Sequence, residues 1–346
     1  MITVITLKAC GGGGGGSTGG GISNGGGGTP EASATIGPSG GTVEVANSSS
    51  PLYGIKVEIP AGALNNDTTI TINQVDSEPT IPDTAVKVSK TVSLKPDSII
   101  FNKPVSITIS YNDTDVSDEN ALQVYTYNGF SWEGVTFKKR DTISNTITAL
   151  SGHFSSFAVF EPKASETQTT FDPAVNGFKI KNFGSPENCA GMVSYAKWFF
   201  QNKECALYKA YDDNTAQKVA KAADDAISPY NFLSLYDTAW MYIQSDGSLF
   251  NQLIANLKIS GTQILVIVET SGGKLLAVHT VLVYGYDDSY GNFYIYDPNY
   301  PGEEKVIKWY GQSLEDYYLT PDKGSVDYIA ATDQLYHPSL DRKSVV

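Results

Sequence analysis

Cys189, His279 and Asp297 fall in an order that could support nucleophilic catalysis by a thiol. Cys189 sits just after Pro186-Glu187-Asn188, where Met192, Tyr195, Ala196 and Phe199 begin to recur at helical spacing. At a helix start the unpaired N–H groups and the positive end of the dipole favour an anion, which lowers a thiol's pKa. A thiolate nucleophile needs a neighbouring base, most often histidine. The chain has three histidines, His153, His279 and His337, so few partners exist. His279 interrupts Leu275–Val283, otherwise an ordinary buried strand. An imidazole buried there without a partner would cost about 1–3 kcal/mol, so a partner is expected. After the turn Asp-Asp-Ser-Tyr-Gly-Asn, the next strand ends at Asp297-Pro298. In a hairpin that position returns alongside His279, where a carboxylate could fix the tautomer and stabilise the charged imidazole.

Each residue also has a plainer role open to it. Free cysteine commonly packs as a small hydrophobe, and Asp297 suits an Asp-Pro turn. A disulfide between Cys189 and Cys205 would occupy the nucleophile. His337 precedes Pro338 near a polar C-terminus and reads as exposed. The tyrosines between Tyr284 and Tyr300 could line a cleft or simply pack.

The elements that must position these residues come in two kinds. The chain has 346 residues, 41% hydrophobic and 18% charged, enough for two domains with real cores. From 33 to 161 the apolar period is two: Val43 and Val45; Ile55, Val57 and Ile59; Ile70 and Ile72; Val105, Ile107 and Ile109. Pro, Gly, Asn and Asp punctuate these runs, so an antiparallel all-β sandwich is expected. Residues 162–172 are polar and without period and read as a linker. From 173 to 340 the pattern changes to helices, near 189–199, 214–227, 232–244 and 246–257. Strands follow at Gln263–Glu269, Leu275–Tyr286 and Asn292–Tyr296, giving an α+β domain.

Particular residues go further than the pattern. Ile36-Gly37-Pro38-Ser39-Gly40-Gly41, Pro60-Ala61-Gly62-Ala63-Leu64, Phe101-Asn102-Lys103-Pro104-Val105, Trp132 and His153-Phe154-Ser155 together resemble the β-sandwich domain of zonula occludens proteins, netrin receptors and ankyrins. The resemblance implies a structural or protein-binding module for 33–161. Some members of that family cut their own chain within a His-Phe-Ser sequence, which places a candidate cleavage between Phe154 and Ser155.

Asn188-Cys189-Ala190-Gly191-Met192, with His279-Thr280-Val281-Leu282-Val283-Tyr284-Gly285-Tyr286 and Phe293-Tyr294-Ile295-Tyr296-Asp297-Pro298 downstream, resembles bacterial papain-fold peptidases of the bacteriocin-processing type. The resemblance implies a papain-like α+β fold in which Cys189 attacks, His279 serves as base and Asp297 orients it. That family commonly carries a Gln shortly before the cysteine as oxyanion donor, and none occurs here. Asn182 is the nearest amide able to take its place, with the Cys189 N–H as second donor. The expected activity is a cysteine peptidase acting on peptide or isopeptide bonds. A non-catalytic adhesion protein, or a transglutaminase or acyltransferase on the same triad, stays open beside it.

The remaining expectations concern setting. Leu7-Lys8-Ala9-Cys10, ahead of a Gly-rich tract over 11–32, resembles the end of a bacterial lipoprotein signal. Residues 1–10 are then a remnant of a longer leader, with Cys10 lipidated and the glycines a flexible tether. A surface-attached or secreted bacterial protein is implied, with a peptide or protein substrate and a protein partner for the sandwich. A net charge of −13 without any Lys/Arg block disfavours nucleic acid. No Cys-x-x-Cys or His/Cys cluster points to a metal, and no organic cofactor is expected.

Overall fold

A computed structural model describes residues 29–97, 99–114, 116–163, 167–184, 187–227, 243–272, 274–321 and 323–331. Cys10, Pro186, His337 and nearly all of the helix expected over 232–244 lie outside the described residues.

Two antiparallel sheets form the first unit. One runs β1 (Ala32–Ile36), β4 (Thr68–Gln74), β6 (Val92–Lys95), β12 (Ser156–Pro162), β8 (Gln123–Tyr127), β9 (Trp132–Gly134), with β5 (Ala85–Lys87) also paired to β12. The other runs β10 (Thr136–Asp141), β11 (Thr146–His153), β7 (Ile100–Ser110), β3 (Lys56–Ile59), β2 (Gly41–Glu44). The period of two works as expected. Ile70 and Ile72 from one sheet meet Val57, Val105, Ile107, Ile109 and Ile147 from the other in one buried cluster. Each such side chain contributes about 1.5–3 kcal/mol of burial.

The alternation fails on β8, β9 and β12, where nearly every residue is buried, Ser156 and Glu161 included. A sandwich sheet usually keeps one face in water. Here the outer face is covered by the second unit. Tyr125, Trp132, Ala158 and Phe160 form an apolar patch that receives Ile259 from a helix of that unit.

The second unit has helices α1 (Pro173–Asn176), α2 (Cys189–Asn202), α3 (Asp213–Ile227) and α4 (Asp246–Ser260). Its sheet runs β16 (Glu304–Lys308), β15 (Asn292–Tyr296), β14 (Lys274–Asp287), β13 (Gln263–Ser271), β17 (Ser325–Ala330), all antiparallel. Strand β13 reads as an unbroken apolar run because both of its faces are covered. Ile264, Val266 and Val268 pack with α2 and α3, whereas Leu265 and Ile267 pack with Leu249, Leu253 and Leu257 of α4.

Residues 167–172 do not behave as a linker. Thr169 N donates to Tyr284 O at 3.1 Å, Tyr286 N donates to Thr167 O at 3.1 Å, and Phe171 is buried in the second core. Polar side chains hid this extension because backbone pairing needs no apolar period.

The two units are joined by more than apolar contact. Lys197 of α2 lies 3.3 Å from Glu133 of β9, with neither side chain exposed by more than 1%. Gln252 of α4 donates to Val135 O at 2.9 Å and accepts from Phe137 N at 3.1 Å. Thr136 Oγ1 donates to Ala330 O at 3.0 Å, and Thr84 Oγ1 to Ile259 O at 3.3 Å. At Gly134 the chains approach so closely that a Cβ would collide with the Asn256 amide.

Candidate active site

Cys189 is the first residue of α2, and it is free, so the pairing with Cys205 does not form. Asn188 precedes it as the cap residue but turns its side chain away, donating Nδ2 to Phe183 O at 2.7 Å. The first turn of α2 therefore carries no acidic residue and no cap from Asn188. One of its N–H groups, that of Gly191, is taken by Asp224 Oδ1 of α3 at 3.0 Å. Gly191 is needed there, since a Cβ would stand 2.5 Å from Ala220 O and from Asp224 N.

His279 lies on β14, 3% exposed, and Asp297 directly follows β15, 1% exposed. The hairpin register pairs Leu282 with Tyr296 and so brings the next residue, Asp297, back toward His279. Nε2 of His279 stands 2.7 Å from Asp297 Oδ1. The ring also hydrogen-bonds the side chain of Cys189. Burial by itself would depress the imidazole's pKa. The hydrogen bonds to Asp297 and Cys189, and the charges of both, overcome that and raise it to about 10. Burial would likewise push the Asp297 carboxyl up. Bonds from His279, Asn299 and Tyr317, with the imidazolium charge, bring it below its ordinary value instead.

Asn182 reaches the same neighbourhood, its backbone N–H donating to Pro298 O at 2.8 Å. Its side-chain amide, however, donates to Glu187 Oε2 at 2.7 Å, while its Oδ1 accepts from Phe183 N at 3.0 Å. Cys189, His279 and Asp297 are thus brought together, with Asn182 beside them and its amide engaged elsewhere.

Two residues of the site escaped sequence reasoning. Asn299 donates its N–H to Asp297 Oδ1 at 2.8 Å, and its amide nitrogen stands 3.3 Å from His279 Nε2. An Asp that accepts from the residue two positions on is an Asx turn, so Asp297-Pro298-Asn299 did carry a signal. Tyr317 donates its hydroxyl to Asp297 Oδ2 at 2.7 Å from a stretch without periodicity, and nothing local marked it.

Other residues singled out by sequence lie elsewhere. Tyr284 and Tyr296 pack against Phe171, and Tyr284, Tyr286 and Tyr294 line an open cavity well along β14 from His279. Phe154 is buried edge-to-face on Phe101, the Ser155 hydroxyl donates to Tyr127 O at 2.6 Å, and His153 Nδ1 is 3.5 Å from Phe154 O. Among the described residues no three His, Cys, Asp or Glu side chains converge on a point where a metal ion could sit. Among them, too, no helix is long and apolar enough to cross a membrane.

Residues 32–128 match the ZU5 domain family. The N-terminal β-sandwich is therefore ZU5-like, and β9 to β12, beyond the match, complete its two sheets. No curated protein sequence matches the chain.

Proposed function

We propose that this protein is a cysteine hydrolase of papain-like type, acting on peptide or isopeptide carbonyls and built onto a ZU5-like sandwich. One observation carries the reading: His279 is held between Asp297, at 2.7 Å, and the thiol of Cys189 at the start of α2. An imidazole whose pKa is raised to about 10, hydrogen-bonded to a thiol at a helix N-terminus, supports His279 as the proton partner of a Cys189 nucleophile.

The thiolate of Cys189 attacks the carbonyl carbon, and the electron pair of the C=O bond moves onto oxygen. The Cys189 N–H and, after release from Glu187, the Asn182 amide hold that oxyanion. The C–N bond breaks as His279 gives its proton to the leaving amine. Neutral His279 then takes a proton from water, whose oxygen attacks the thioester and restores the thiolate. Asp297 orients the ring and stabilises its charged form throughout. The setting proposed for this chemistry is extracytoplasmic, at a bacterial surface or after secretion. With an amine in place of water the same acyl-enzyme would give transfer, which product analysis with and without added amine distinguishes.

The test is mass-spectrometric mapping after a low dose of a thiol-directed epoxide at neutral pH. Selective modification of Cys189, strongly reduced by His279→Ala, is expected. Slow modification indifferent to His279 would overturn the reading. It would favour a binding protein with a degenerate site, for which the engagement of the Asn182 amide by Glu187 already speaks.

A further inference from the structure

Asp297 has two carboxylate oxygens, and the chemistry described above uses one of them. Oδ1 accepts from His279 and from the Asn299 N–H. Oδ2 accepts from the Tyr317 hydroxyl at 2.7 Å, and the carboxylate is 1% exposed, so water does not compete for it. Tyr317 comes from the segment between β16 and β17, which among its described residues has no helix or strand of its own. That segment is nevertheless anchored on both sides of Tyr317. Upstream, the Tyr328 hydroxyl of β17 accepts from Tyr317 N at 2.9 Å and donates to Glu315 O. Downstream, the Glu269 carboxylate of β13, itself unexposed, accepts from Leu319 N, Thr320 N, Thr320 Oγ1 and Gly324 N at 2.7–2.9 Å.

A buried carboxylate must find hydrogen-bond donors, and Glu269 finds all four of these on one irregular segment, which is thereby fixed in place. We propose that the strap over 309–321 exists to deliver the Tyr317 hydroxyl to Asp297, and that Tyr317 is a positioning residue acting through Asp297 on His279. The inference rests on the hydrolase reading. Physically, a carboxylate held at Oδ1 alone can rotate about its last bond, whereas donors on both oxygens fix its plane and thereby the imidazole plane. The Tyr317 bond also withdraws negative charge that would otherwise act on the ring. The other charged or titratable groups felt by this cluster are Cys189 of α2, Tyr296 of β15, Tyr300 between β15 and β16, Lys305 of β16 and Tyr328 of β17.

The experiment measures the rate of epoxide modification of Cys189 from pH 5 to 11 in the full chain, for wild type, Tyr317→Phe, Tyr318→Phe and Glu269→Gln. Tyr318 lies on the same strap but bonds Asp316, so its variant reports ordinary change to the strap. Glu269→Gln weakens the anchor downstream of Tyr317 and so tests whether the strap delivers the hydroxyl. Tyr317→Phe should slow modification roughly tenfold, the scale of losing one hydrogen bond to a charged acceptor. It should also move the alkaline limb to higher pH, because a less satisfied Asp297 holds the imidazolium proton more tightly. Tyr318→Phe should match wild type. Glu269→Gln should lower the thermal midpoint and shift the rate and the limb in the same direction as Tyr317→Phe, by less. A Tyr317→Phe protein with the wild-type rate and limb would overturn the role of Tyr317, a Glu269→Gln protein with the wild-type limb would overturn that of the strap, and either would leave the hydrolase standing. An inert wild-type Cys189 would overturn the hydrolase, and this role with it.

Discussion

Lys197 and Glu133 come from different units of the chain and meet at 3.3 Å with no access to water. Lys197 stands on the helix that opens with Cys189, and its Nζ also donates to Thr262 O at 2.6 Å. Burial lowers the lysine's pKa and raises the glutamate's, each partly offset by the other's charge. The sandwich is thus fused to the helix that carries the thiol rather than hung beside it.

Removing one partner of this pair leaves the other charge buried. Glu133→Ala and Lys197→Met should each cost about 3–5 kcal/mol of unfolding free energy. Replacing both, as Glu133→Leu with Lys197→Met, should recover most of that loss, since apolar pairs of similar volume are commonly as stable as buried ion pairs. Urea unfolding of the three variants checks this. Additive losses in the double variant would mean that the two side chains do not interact.

The packing of α2 on α3 gives a second, purely steric expectation. Gly191→Ala puts a Cβ against Ala220 O and the Asp224 backbone, so it should destabilise the protein and reduce Cys189 modification together. Gly247, in the first turn of α4, has nothing within 4 Å of a built Cβ. There the same substitution should stabilise by up to about 1 kcal/mol through helix propensity. Thermal midpoints moving in opposite directions would bear this out, and parallel shifts would contradict it.

Much of this architecture was legible because burial and period agreed. Strands β3 and β4 and helix α3 each bury one face, and their apolar residues recur at the matching period. The hairpin that returns Asp297 to His279 was legible for the same reason, as two apolar strands about a polar turn. What stayed hidden had no pattern to betray it. Residues 167–172 pair through their backbone, and Tyr317 is delivered by a segment that follows side-chain anchors rather than a period. The covered outer face of β8, β9 and β12 could have been read from Trp132, Tyr125 and Phe160. Taken alone, though, aromatic residues on a strand do not say what packs against them.

The His279–Asp297 hydrogen bond predicts a marked effect of Asp297→Asn. The amide keeps the shape but can present its NH2 to Nε2, which favours the wrong tautomer and removes the charge that supports imidazolium. Cys189 modification at neutral pH should fall by a factor on the order of 10² or more, as in other triads disrupted at this member. The thermal midpoint should move far less than the rate. An unchanged rate would show that Asp297 does not govern the imidazole.

Stability against pH gives the last expectation, and its sign follows from the two shifts. The folded pKa of His279 lies above its unfolded value of 6.5, near 10. Its contribution is therefore fully present below about pH 6.5 and is lost as pH rises through about 10. Asp297 is shifted the other way, below its ordinary value. Its contribution is present above the usual carboxylate range and is lost as pH falls through the depressed value. Between those limits both contributions are full. The difference in unfolding free energy between wild type and His279→Gln should therefore form a plateau between the carboxylate range and about pH 6.5. It should then decline steadily toward about pH 10, while exposed lysines and tyrosines titrate alike in both proteins and cancel. Chemical denaturation from pH 4 to 10.5 measures that difference directly. A difference that stayed flat across the alkaline range would show that His279 is neutral in the folded protein, and a charged imidazole beside Cys189 would have to be given up.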